Sequence, residues 1–129
     1  MEIKLVAIDL DGTLLNSDRT LSEENRIAIK KAKEQGVHIV LCTGRPLRSM
    51  QHLLQEADLL DDEDIAITYN GGLIQKTKSG EVINELTFNR AECLDIYEMA
   101  KQLNMPVNFI DLDYIYEPPY PVGVESHYT

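Results

Sequence analysis

The sequence predicts an α/β fold, a parallel sheet with interleaved helices, and two observations carry that expectation. Short, almost continuously apolar runs at residues 3–8, 37–42 and 65–69 alternate with amphipathic stretches, and the first two runs end in polar residues suited to ligands. Strand, helix, strand, helix, strand is the order that builds a parallel sheet with its ligand sites at the strands' carboxyl ends.

Ile3 to Ile8 reads as a strand buried on both faces, stopping at Asp9-Leu10-Asp11-Gly12. Residues 22–35 read as a helix: Ser22 caps it, Glu23 and Glu24 occupy the first turn, Lys30, Lys31 and Lys33 fall near the end, and Gly36 stops it. Val37 to Cys42 is the second strand. Thr43-Gly44-Arg45-Pro46 closes that strand and opens a helix to about Glu56, with Pro46 at the first helical position and Leu47, Met50, Leu53 and Leu54 as its inward stripe. Asp61 to Asp64 reads as a solvated acidic turn, and Ile65 to Tyr69 as the third strand.

After Asn70-Gly71-Gly72 the texture changes. Leu73 to Lys76 and Val82 to Thr87 flank Lys78-Ser79-Gly80 as a β-hairpin. Asn89 and Glu92 have capping-box spacing, so a helix should run to about Asn104, where Pro106 prevents its continuation. Val107 to Ile110 and Tyr114 to Glu117 read as strands around Asp111-Leu112-Asp113.

The 129 residues suffice for one ordinary domain and not for two complete ones, and 43% hydrophobic with 26% charged residues is the balance of a globular chain. The formal net charge of −10, with no basic patch, argues against nucleic acid and means that an anionic ligand needs local cations or a metal. Cys42 and Cys93 suggest neither a disulfide framework nor a zinc set, which fits the cytoplasm, and no apolar run is long enough to span a membrane. His38, His52 and His127 lack ligand-like spacing.

The chemistry concentrates at the strand ends. In an extended strand Asp9 and Asp11 project to the same side, with Cα atoms roughly 6.6 Å apart, so one hard cation such as Mg²⁺ can reach both. Gly12 lets the backbone turn away and approach an anion without a Cβ. Thr43 stands before Gly44 and a helix start, where it either donates its hydroxyl to a phosphoryl oxygen or only caps the helix. Arg45 is either a substrate contact or a structural arginine.

Asp-Leu-Asp-Gly-Thr-Leu-Leu, residues 9–15, resembles the first motif of the haloacid dehalogenase superfamily, and Thr43 matches the placement of its second. Leu-Cys-Thr-Gly-Arg-Pro at 41–46 and Tyr-Asn-Gly-Gly at 69–72 resemble the Cof-like phosphatases. The resemblance implies a Rossmann-like core over residues 1–86, with 73–86 leading into the start of an incomplete α+β cap over 87–129. It implies a magnesium-dependent phosphatase for sugar phosphates or small phosphorylated metabolites, with Asp9 as nucleophile and metal ligand, and Asp11 as general acid and base that also contributes to the metal. Asn70 and Gly71 would lie beside the substrate; the competing reading is an ordinary Asn-Gly turn.

A later lysine and a later acidic metal ligand, which the family pattern places after the cap, do not occur in these residues. The expectation is therefore the N-terminal portion of such an enzyme, weakly active alone, with an open sheet edge that recruits a second copy or a complementing chain. The competing class is a non-catalytic phosphate- or metal-binding fragment. A receiver-like signalling domain spreads its acids over several strands and fits less well. Asp111-Leu112-Asp113 repeats three letters of the motif without Gly-Thr and is assigned to a hairpin turn.

Overall fold

The computed structural model describes residues 2–125, and the chain divides into two compact units, Met1–Thr87 and Phe88–Thr129. The expectation for His127 lies outside the described residues. In the first unit, β1 (Leu5–Asp9), β2 (His38–Cys42) and β3 (Ile65–Thr68) run parallel, with α1 (Glu23–Glu34) and α2 (Gln51–Glu56) on the connections. Two further strands, β4 (Leu73–Lys76) and β5 (Val82–Glu85), extend the sheet antiparallel, giving the order β1-β2-β3-β4-β5. The hairpin expected to lead out of the core is thus also its edge.

The core lies between the helices and one face of the sheet. Ile29 from α1, Ile39 and Leu41 from β2, Leu54 from α2 and Ala66 from β3 share one buried cluster with Leu10 and Leu14. Leu47, Met50 and Leu54 are buried as the stripe predicted, with Leu53 packed at the margin. Pro46, however, is extended (φ −62°, ψ 144°), and the chain enters α2 through a 3₁₀ turn at Leu47–Met50. The proline is therefore the residue before the helix, because its ψ points the chain out of the β2 loop.

Two burial expectations fail. Leu5 is 52% exposed and Val6 36%, so β1 is not sandwiched on both faces. It pairs with β2 on one side and with no strand on the other among the described residues. Asp64, read as part of a solvated turn, is buried and accepts from Lys33 Nζ at 3.1 Å.

The second unit holds α3 (Arg90–Gln102) and a two-stranded antiparallel ribbon, β6 (Phe109–Ile110) and β7 (Ile115–Tyr116). Asn89 accepts from the Glu92 N–H and the Glu92 carboxylate accepts from the Asn89 N–H, the capping box that the spacing predicts. Asp111 Oδ1 accepts from the N–H groups of Asp113 and Tyr114 at 2.7 Å, so this acidic triplet builds the ribbon turn.

Candidate active site

The candidate site sits at the carboxyl ends of β1, β2 and β3. Register puts Asp9 beside Cys42, and Cys42 beside Ile67, so the residues that follow each strand emerge together. Asp9 is the last residue of β1. Beyond it the chain winds through one wide turn, Leu10–Leu14, closed by the Leu15 N–H on the Leu10 carbonyl at 3.0 Å, with Gly12 at φ 81°. Leu10 and Leu14 are buried and anchor this turn.

Strand alternation therefore does not place Asp11; the turn does, and that is a correction to the extended geometry expected for residues 9–11. A Cβ at position 12 would meet no atom, so Gly12 is required for its left-handed backbone and not for space. Thr13, the fifth residue of the Asp-Leu-Asp-Gly-Thr string, also belongs to the site. Its hydroxyl donates to Asp9 Oδ2 at 2.9 Å, which fixes one carboxylate oxygen and leaves Oδ1 available.

On the neighbouring strand Thr43 is buried, and its Oγ1 accepts from the Arg45 N–H at 3.1 Å while its own hydroxyl hydrogen remains to be donated. The Asn70 N–H donates to the Thr43 carbonyl at 3.0 Å. The Asn70 side chain lies over Gly44 so closely that a Cβ there would stand 2.8 Å from its Oδ1. Gly44 is thus a close-approach glycine, and it joins the β2 loop to the β3 loop.

Tyr69 (φ 52°), Asn70 (φ 55°) and Gly71 (φ 94°) form a run of left-handed residues after β3. Tyr69 and Asn70 are not glycines, and left-handed backbone costs each of them energy that the packing must supply. An ordinary Asn-Gly turn does not need the left-handed Tyr69.

Arg45 binds Asp11 through both ends of its guanidinium: Nε donates to Oδ2 at 2.9 Å, and Nη2 to Oδ1. This forked pairing ties the β2 loop to the turn after β1. The structure therefore brings together Asp9, Asp11 and Gly12 with Thr43, Gly44, Arg45 and the Asn70-Gly71 loop, and it gives Arg45 a partner on the protein itself. Cys42 shares the site's floor. Burial first, and then the nearby Asp9 charge, push its thiol above the usual cysteine value, which keeps it protonated and poorly nucleophilic at neutral pH.

Asp9 and Asp11 supply hard oxygen donors, the type Mg²⁺ takes, and one or two carboxylates beside water and phosphate oxygens suit that ion. No group of three or more acidic, histidine or cysteine side chains able to hold a metal exists among the described residues. The donor set fits magnesium as a partial shell.

The parallel part of the sheet thus ends in an aspartate pair after its first strand and a buried threonine after its second, ahead of the 3₁₀ turn that leads into α2. The family model described as haloacid dehalogenase-like hydrolase matches residues 6–127, and the chain belongs to that family. YxeH of Bacillus subtilis (strain 168) is 44% identical over 115 residues, covering 89% of this chain and 43% of YxeH. A haloacid dehalogenase-like hydrolase from B. subtilis of known structure matches with TM-score 0.77 and 30% identity, over 91% of this chain and 40% of that one. The HAD subclass IIB sugar phosphatase BT4131 matches with TM-score 0.69 and 25% identity, over 87% of this chain and 42% of that one. The chain spans less than half the length of these relatives.

Proposed function

We propose that this site is the nucleophile half of a magnesium-dependent phosphatase that acts on a sugar phosphate or a related small phosphorylated metabolite in the cytoplasm. The observation that carries the reading is the Asp9 carboxylate at the end of β1, oriented by Thr13 and facing the loop that holds Thr43. Asp9 Oδ1 attacks phosphorus and the bond to the leaving oxygen breaks, giving an aspartyl-phosphate. The leaving oxygen takes its proton from Asp11. Asp11, now a carboxylate, takes a proton from water, the water oxygen attacks phosphorus, and inorganic phosphate leaves Asp9. Magnesium, held by Asp9 and by the Asp11 carbonyl, would neutralise phosphoryl charge.

Thr43 donates to a phosphoryl oxygen, the left-handed Gly12 and the closely covered Gly44 present their backbone N–H groups on its side, and Asn70 and Gly71 wall the substrate side. Arg45 must release Asp11 before Asp11 can donate a proton. The forked pair is then the resting arrangement, and an incoming phosphate is the group able to draw the guanidinium away.

Each negative charge of a phosphate brought to about 4 Å from a carboxylate in a partly screened site costs about 4 kcal/mol, close to three powers of ten in rate. Residues 2–125 place no lysine beside Asp9, so the chain by itself should turn over p-nitrophenyl phosphate and a sugar-phosphate panel about a thousandfold more slowly than a complete family enzyme. Initial rates with and without magnesium test this. Ordinary turnover by the chain alone would refute the half-site reading, and magnesium-independent turnover would refute the metal.

The exposed apolar edge of β1 favours a second component, a complementing chain or another copy, as part of the working protein. Leu5 and Val6 on β1 and Ile3 just before it are 52%, 36% and 61% exposed, the outer edge of β1 has no partner strand among the described residues, and such edges recruit other strands. Sedimentation velocity should show dimers or larger species at micromolar concentration, and Leu5→Lys should return the chain to monomer. A stable monomer of the unaltered chain would contradict this.

A further inference from the structure

Beside Asp11 lies an open cleft of about 790 Å³, lined by Asp11, Gly12 and residues 15–19, for which the proposed chemistry has no use so far. Its wall is a tight hairpin. Leu15 and Leu21 form an antiparallel bridge, the Asn16 N–H donates to the Thr20 carbonyl at 2.9 Å, and the Arg19 N–H donates to the Asn16 carbonyl at 2.9 Å. Leu14 and Leu15 are buried beneath it, and Asn25 Nδ2 from α1 donates to the Leu14 carbonyl at 3.0 Å. Arg19 itself is held left-handed at φ 65°, so the hairpin fixes where its side chain departs.

The charges within this wall are disposed unequally. Asp18 Oδ1 accepts from the Thr20 hydroxyl at 2.6 Å and from the Thr20 N–H at 3.1 Å, which holds its carboxyl below the usual value and turns it into its own loop. The Arg19 guanidinium enters no hydrogen bond or ion pair among the described residues, whereas Arg45, the other arginine at the site, is tied to Asp11. Asn16 and Ser17 add an amide and a hydroxyl to the lining. The cleft thus offers polar groups for a hydroxylated body and one unengaged cation.

Resting on the phosphatase reading, we propose that this cleft is the leaving-group subsite and that Arg19 takes a second anionic group there, so that the preferred substrates are phosphate monoesters whose hydroxylated leaving group also carries a carboxylate or a phosphate. A chain of net charge −10 should otherwise repel the added anion, so the sign of the preference is itself diagnostic.

The test is titration calorimetry of the whole chain in magnesium buffer with two ligand pairs. Glycerol 3-phosphate against 3-phosphoglycerate adds a carboxylate, and fructose 6-phosphate against fructose 1,6-bisphosphate adds a phosphate. The doubly anionic member of at least one pair should bind about three- to tenfold more tightly, and the responding pair names the anion. Arg19→Ala should abolish or reverse that ratio and Arg19→Lys should keep part of it, with circular dichroism verifying that both variants fold. Monophosphate binding without any Arg19-dependent ratio would overturn the subsite and leave the phosphatase reading standing. If no phosphate ester binds at all, that reading falls and the subsite with it.

Discussion

Asp9→Asn should lower magnesium-dependent turnover of p-nitrophenyl phosphate by at least about a thousandfold from whatever level the unaltered chain shows, equivalent to about 4 kcal/mol of barrier. The amide cannot supply the anionic oxygen that bonds to phosphorus, and it keeps the size and hydrogen-bonding shape that Thr13 holds. The variant should therefore fold normally, which separates a chemical effect from a structural one. Asp11→Asn should behave differently. p-Nitrophenolate leaves without help from an acid, so the aspartyl-phosphate should still form and then persist, because no carboxylate remains to activate water. Mass spectrometry of acid-quenched samples should find a phosphate adduct on the Asp11→Asn chain and none on the Asp9→Asn chain. Equal turnover by the Asp9→Asn variant and its parent would remove Asp9 from the role of nucleophile.

The distribution of what could be read from sequence has a physical basis. Local signals worked where the interaction is local: Ser22 accepts from the Asn25 N–H as the cap of α1, Gly36 sits at φ 78° after it, and the Asn89–Glu92 box begins α3. Signals that depend on distant partners failed. An apolar run such as residues 3–8 matches a doubly buried strand, but exposure depends on what pairs with its outer edge, and Leu5 and Val6 find nothing there among the described residues. Likewise β4 and β5 have a hairpin's pattern, and only the pairing of Ile65–Thr68 with Leu73–Lys76 makes them part of the sheet.

The motif reads both aspartates as lying at the end of the first strand; Asp9 does close β1, but the wound turn at Leu10–Leu14 sets Asp11. The Arg45–Asp11 pair spans 34 residues of sequence and has no local signature. The contact between Gly44 and Asn70 is equally nonlocal, whereas the hairpin carrying Arg19 had a visible cue in the polar run Asn16-Ser17-Asp18 between Leu15 and Leu21.

The buried Asp64 belongs to a charged clamp whose removal should measurably destabilise the first unit. Lys33 Nζ, near the end of α1, donates to the Asp58 carbonyl, to Asp61 Oδ2 at 3.0 Å and to Asp64 Oδ2 at 3.1 Å. Asp64 in turn accepts the Asp61 N–H at 2.9 Å, and its carbonyl accepts from the Thr77 N–H at 3.0 Å, so one ammonium joins α1, the turn before β3 and the end of β4. The Lys33 and Asp64 side chains are only 19% and 10% exposed.

Breaking a buried pair by removing one partner costs about 3–5 kcal/mol, because the remaining charge stays desolvated. Here the retained Asp61 N–H and the openness of the turn reduce that, and Lys33→Met should destabilise the first unit by about 2–3 kcal/mol. Burial opposes the charge on Lys33, but the hydrogen bonds and charges of Asp61 and Asp64 outweigh it and hold the ammonium above the ordinary lysine value of 10.5. The folded value is raised, so the clamp's stabilisation is complete below about pH 10 and is lost as pH rises through the folded value.

Urea unfolding of both proteins at pH 7 and pH 11 checks the clamp. At pH 7 the Lys33→Met midpoint should fall well below that of the unaltered chain, and the gap should narrow at pH 11 as the lysine loses its proton. Equal midpoints at pH 7 would mean that the turn holds β3, and with it the Asn70 side of the site, without Lys33.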